Sequence, residues 1–88
     1  MKFGSFIKFM QQKVTIYSTP TCHFCNMAKD YFDEKGVVYE TFDVASDMEK
    51  RKEMMDISGQ LGVPVIVVGD EIIVGFNKPL IDQMLNLK

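Results

Sequence analysis

The tightest constraint on this chain is the run Tyr17-Ser18-Thr19-Pro20-Thr21-Cys22-His23-Phe24-Cys25, which carries both cysteines of the sequence directly behind a β-branched stretch. Val14-Thr15-Ile16-Tyr17 reads as a strand, and the Ser18-Thr19-Pro20 turn stops it. A helix that starts at the first cysteine then sets positions i and i+3 on neighbouring rows, where two thiols can close a disulfide. The unpaired N–H groups of the first helical turn and their partial positive charge favour a thiolate at Cys22. They are expected to lower its pKa below the ~8.5 of a free cysteine.

Other uses of two cysteines fit less well. A tetrahedral zinc site needs further ligands, yet the sequence has no second cysteine pair and its only histidine, His23, sits between the cysteines. A structural disulfide across so short a ring removes little chain entropy. Cycling thiol–disulfide chemistry is therefore the reading taken, with no metal expected.

At 88 residues and 47% hydrophobic content the chain is long enough for one small domain with a limited core. The formal charge is −2 and the lysines are scattered, so the basic stripe of a nucleic-acid binder is missing. No apolar run approaches the ~20 residues that span a bilayer, and the longest, Val63 to Val68, is interrupted by Pro64. Residues 1–12 read as an N-terminal extension and 13–88 as the domain. Lys2 and Lys8 stand among Phe3, Phe6, Ile7 and Phe9, but there is no uninterrupted apolar segment or small-residue cleavage site of a secretory signal. A cytoplasmic location is expected, where a lone cysteine pair is kept reduced between turnovers. Phe3, Phe6, Ile7 and Met10 lie at helical spacing and could dock on the domain, although a dispensable extension is the expectation.

Phe24, Met27, Ala28, Tyr31 and Phe32 recur at helical intervals, with Gly36 placed for a left-handed cap. Met27, Tyr31 and Phe32 are expected to face the core and Phe24 a docking partner. A second strand is predicted from Val37 to Phe42. Ser46-Asp47-Met48-Glu49 is a capping box for a second helix through about Ile57, ended by Gly59. Met48, Met54, Met55 and Ile57 are expected to form its buried side, and the charged run Glu49 to Glu53 a solvated face. Pro64 to Val68 and Glu71 to Val74 form a hairpin about Gly69-Asp70. Leu80, Ile81, Met84, Leu85 and Leu87 mark a closing helix with Pro79 in its first turn. The order is βαβαββα, with the first two strands parallel and the last two antiparallel.

Tyr17-Ser18-Thr19-Pro20-Thr21-Cys22-x-x-Cys25, followed by Gly62-Val63-Pro64 and Gly75-Phe76, resembles the glutaredoxin family of the thioredoxin superfamily over residues 13–88. The resemblance implies an α/β thioredoxin fold, a mixed four-stranded sheet flanked by helices, and thiol–disulfide oxidoreductase activity on protein or glutathione mixed disulfides. It makes Cys22 the nucleophile and Cys25 the resolving thiol. It also implies a cis peptide before Pro64, which leaves the Val63 backbone free to pair with a bound peptide. His23, Phe24, Val63, Pro64, Gly75, Phe76 and Asn77 are the implied substrate- or glutathione-binding residues. No bound cofactor is expected, disulfide-containing proteins are the expected substrates, and a monomer is the expected state.

The departures concern the electron donor. Glutathione-using members typically carry a lysine three residues before the first cysteine, where this chain has Thr19. They often carry Gly-Gly-Cys-Asp-Asp after the last strand, where this chain has Val74-Gly75-Phe76-Asn77-Lys78. Gly75-Phe76 looks more like the glutaredoxin-like donors of ribonucleotide reductase, which thioredoxin reductase reduces. Glutathione is the expected donor, with thioredoxin reductase as the alternative. Gly62 stands where threonine is usual. His23-Phe24 replaces the usual Pro-Tyr, so His23 either stabilises the Cys22 thiolate when protonated or is a solvent-facing spacer. The competing function is an iron–sulfur cluster bridged between two protomers by the first cysteine and glutathione thiols.

Overall fold

Four short strands and three helices follow one another in a computed structural model that describes residues 13–85. The expectations for residues 1–12 and for Leu87 lie outside the described residues. Strand β1 (Val14–Ser18) is buried along its whole length, as its β-branched sequence and central position require. It is followed by α1 (His23–Lys35), β2 (Glu40–Asp43), α2 (Met48–Ser58), β3 (Val65–Val68), β4 (Glu71–Val74) and α3 (Lys78–Leu85), the predicted βαβαββα order.

The sheet order is β2-β1-β3-β4. β1 pairs with β2 in parallel, Tyr17 opposite Phe42, and with β3 antiparallel, Tyr17 opposite Val65. The β3–β4 hairpin turns at Gly69, whose φ of 60° is one that glycine reaches without penalty. Alternation along the strands divides the core in two. On one side Val14, Ile16, Ile66, Val68 and Ile73 meet Ala28, Tyr31 and Phe32 of α1 and Ile81 of α3; on the other Tyr17 and Val65 meet Val44 and Met54. The Tyr31 hydroxyl donates to Asp82, which also pairs with the Lys78 ammonium at 3.6 Å, so α3 is tied to α1 by polar as well as apolar contacts.

Several expectations shift. Met27 is exposed because the buried seam of α1 runs through Cys25, Ala28, Tyr31 and Phe32 and leaves Met27 on its flank. β2 begins only at Glu40: the Val37 N–H donates to the Phe32 carbonyl at 2.9 Å, closing the end of α1 around Gly36 (φ 73°). Val38 is left 88% exposed. The cap of α2 is Asp47, whose carboxylate accepts from the Lys50 N–H at 3.1 Å. Ser46 does not cap, because its hydroxyl bonds the Asp43 carboxylate instead. On α2 only Met54 is buried, and Met48, Met55 and Ile57 face outward, since the helix meets the sheet along a narrow seam. Nor is the charged run wholly solvated. Glu53 accepts from the Tyr17 hydroxyl and the Lys50 ammonium, each at 3.1 Å, and Lys50 lies 4.1 Å from the Phe42 ring centroid.

Candidate active site

The cysteines stand where β1 gives way to α1. The Cys22 N–H donates to the Thr19 carbonyl at 3.3 Å, and the Asn26 N–H donates to the Cys22 carbonyl at 3.1 Å, so the turn passes directly into helix. Cys22 is in extended conformation (φ −86°, ψ 116°) and is itself the N-cap of α1: its sulfur accepts the Cys25 N–H at 3.2 Å. A sulfur takes the place usually filled by a serine, threonine or carboxylate oxygen, and a thiolate there receives a charge-assisted hydrogen bond.

Both thiols are free, Cys22 partly exposed and Cys25 completely buried. Burial pushes the Cys25 thiol up to about 11, the interaction with Cys22 adds to the rise, and the Thr19 backbone and the Lys29 charge oppose it. The pair is thus divided into an accessible sulfur held at a helix start and a protonated sulfur held in reserve beneath it.

Facing Cys22 is the loop between α2 and β3. The Val63–Pro64 peptide is cis, and the Val63 carbonyl lies 3.8 Å from the Cys22 sulfur, a long thiol contact. Pro64 is buried and its carbonyl accepts the Gly75 N–H at 2.8 Å, which ties the segment after β4 to the loop. His23 and Phe24 are both exposed on the first turn of α1, edge to face with centroids 5.5 Å apart. The other two expected binding residues have internal partners. Phe76 packs edge-on against Tyr31 at 5.9 Å, and Asn77 caps α3 by accepting the Leu80 N–H on Oδ1 at 3.3 Å.

The structure therefore gathers Cys22, Cys25 and Val63 into one contact set, with Pro64 and Gly75 behind it. The loop also depends on residues the sequence did not single out. The Ser58 hydroxyl donates to the Met54 carbonyl at 2.7 Å and accepts the Gln60 N–H at 3.3 Å, and Gln60 Nε2 donates to the Gly62 carbonyl at 3.0 Å. The proximity of Ser58 and Gln60 to Gly62-Val63-Pro64 was their only signal. Among the described residues no group of three or more His, Cys, Asp or Glu is arranged to hold a metal ion, and no helix is long and apolar enough to cross a membrane.

Comparison with known proteins agrees with this geometry. The glutaredoxin family profile matches residues 14–73, from the start of β1 into β4. The chain is 47% identical over 72 residues to an uncharacterized glutaredoxin-like 8.6 kDa protein in the rubredoxin operon of Clostridium pasteurianum, covering 82% of this chain and 96% of that one. Among solved structures, the glutaredoxin of Archaeoglobus fulgidus superposes with a TM-score of 0.77 at 24% identity over 88% of this chain and 91% of its own, which shows the thioredoxin fold. The glutaredoxin-like protein NrdH-redoxin of Escherichia coli, described as having a thioredoxin-like activity profile, superposes at 0.72 with 27% identity over 81% of this chain and 92% of its own. With the family profile spanning the sheet from its first strand to its last, the chain belongs to the glutaredoxin family.

Proposed function

We propose that the protein is a dithiol thiol–disulfide oxidoreductase that reduces protein or glutathione mixed disulfides. The observation that carries this reading is the placement of Cys22 as N-cap, its sulfur taking the N–H of the buried Cys25 one helical turn away. The Cys22 thiolate attacks one sulfur of a substrate disulfide, that S–S bond breaks, and the other substrate sulfur leaves as a thiolate that takes up a proton. Cys25 then loses its proton and attacks the Cys22 sulfur. The Cys22–Cys25 bond forms, the second substrate sulfur leaves, and the substrate has gained two electrons and two protons.

Reopening the internal disulfide needs two electrons from outside. Glutathione is the proposed donor. A flavoprotein reductase of the thioredoxin reductase kind is the alternative, favoured by Thr19 in place of a lysine and by an Asn77 whose Oδ1 is already engaged in capping α3. Oxidised protein is mixed with glutathione, glutathione reductase and NADPH, or with thioredoxin reductase and NADPH, and NADPH consumption is followed. Turnover with neither sinks the proposal, and turnover with one alone names the donor. Cys22→Ser should abolish turnover and Cys25→Ser should accumulate mixed disulfides with protein substrates. Protein purified anaerobically should be colourless; a visible iron–sulfur spectrum would favour the cluster-bridging function instead.

A further inference from the structure

Gln60 has an unusual position. Its backbone is held just past the end of α2, where the Ser58 hydroxyl, donating to the Met54 carbonyl, accepts the Gln60 N–H at 3.3 Å. From there the side chain doubles back over Gly62. Nε2 donates to the Gly62 carbonyl at 3.0 Å, and a Cβ built on residue 62 would lie 2.9 Å from Oε1 and 3.7 Å from both Cδ and Nε2. The carboxamide thus lies against the bare Cα of Gly62, in a space that any other residue would fill. Gly62 is joined to Val63, whose carbonyl faces the Cys22 sulfur at 3.8 Å.

This arrangement sorts the polar groups beside the reacting thiol. The Gly62 carbonyl is taken by Nε2, while Oε1 accepts no hydrogen bond from any described residue. Beside Gly62, the residue joined to Val63, stands an acceptor that the fold itself does not use, suited to an N–H donor. A disulfide carried on an extended peptide brings backbone N–H groups along the Val63 edge; a small disulfide without amides brings none.

We propose that Gln60 is a specificity-determining residue whose carboxamide oxygen receives a backbone N–H of an extended polypeptide beside its reacting disulfide, held in place by its bond to Gly62. The inference rests on the reading of Cys22 as nucleophile. Gly62 is part of the same device, because its missing side chain is what lets the carboxamide lie flat on the loop. An exposed amide reaching two residues along the chain adds little to folding, so its worth lies in orientation.

The test uses the full chain carrying Cys25→Ser, so that the reaction stops after its first step. Two probes share one leaving group: a hexapeptide with a central cysteine as its 2-thiopyridyl disulfide, and the 2-thiopyridyl disulfide of mercaptoethanol. In each, the Cys22 sulfur displaces pyridine-2-thiolate, which takes a proton and is read by its absorbance. Adding Gln60→Ala or Gly62→Ala should lower the ratio of peptide to mercaptoethanol rate by about tenfold, the worth of one hydrogen bond. Gly62→Ala does so by pushing away a carboxamide of unchanged chemistry. Peptides N-methylated at single positions around the cysteine should include one that loses the same factor with Gln60 present and nothing further in Gln60→Ala. An unchanged ratio in both variants overturns the proposal. So does a fall that every N-methylated peptide shares with its parent in Gln60→Ala and in the unaltered loop alike, since Gln60 would then only shape the loop. Failure of the mercaptoethanol probe to react at Cys22 would overturn thiol exchange itself.

Discussion

Cys25 should be a slow nucleophile, and the structure says by how much. Its thiol is raised from an ordinary 9.0 to about 11, chiefly by burial. At pH 7 its thiolate fraction falls from roughly one in a hundred to roughly one in ten thousand, about a hundredfold loss. A more basic thiolate is intrinsically more reactive, and a Brønsted slope of about 0.4–0.5 over that rise returns about six- to tenfold. The net expectation is that folded Cys25 reacts at least about tenfold more slowly at pH 7 than the same thiol in the unfolded chain, with restricted access slowing it further. The assay uses Cys22→Ser, which leaves Cys25 as the only thiol, keeps the burial that is the largest cause of the rise and removes the smaller contribution of the Cys22 sulfur. Reaction with 2,2′-dithiodipyridine is followed from pH 6 to 10, folded and in denaturant. The folded rate should climb about tenfold per pH unit without levelling, while the unfolded rate levels near the ordinary thiol value. A folded profile that reaches its plateau below pH 9 would refute the account of Cys25 as a thiol suppressed by burial.

Phe32→Ala empties a site at the centre of the larger core cluster and should cost about 3–5 kcal/mol, seen as a lower urea midpoint; a change under about 1 kcal/mol would show that the cluster does not bear on stability. Asp47→Ala should cost about 1 kcal/mol and Ser46→Ala clearly less, an order that distinguishes the observed cap of α2 from the one the capping-box pattern proposes. Alkali should destabilise the fold. The Tyr17 hydroxyl is pushed up to about 12 by burial and by Glu53, and the Tyr31 hydroxyl to about 12 by its bond to Asp82 and by burial. With Cys25 these groups stay protonated longer in the folded than in the unfolded chain, so their support is complete below about pH 9 and is lost as pH rises through 11 to 12. Urea midpoints that are equal at pH 8 and pH 11 would contradict this.

What the sequence made legible was local or periodic. Gly36, the hairpin at Gly69, the first strand β1 and the cysteine pair at a helix start each follow from a few adjacent residues, and all stand as expected. What escaped depends on partners distant in sequence or on small angular offsets. The face of α1 turned far enough to expose Met27, and the single seam of α2 could not cover Met48, Met55 and Ile57 together. Glu53 looked like one charge in a solvated run until Tyr17, 36 positions away, supplied a hydroxyl. Asn77 read as a binding residue, and its Oδ1 is spent on α3; Gln60 carried no pattern at all, because a side chain folded over its own backbone leaves no periodicity.

With Cys22 as the proposed nucleophile, a first helix that begins on its sulfur links folding to redox state. The Cys25 N–H that Cys22 caps in the reduced protein faces a sulfur that loses its capacity for negative charge once it enters a disulfide. Whatever the thiolate contributes to the start of α1 is therefore present only in the reduced chain, and a closed thermodynamic cycle makes that difference in stability equal to a bias toward accepting electrons. Mutations that loosen or tighten the first turn of this helix, without touching either cysteine, should tune the protein as an oxidant.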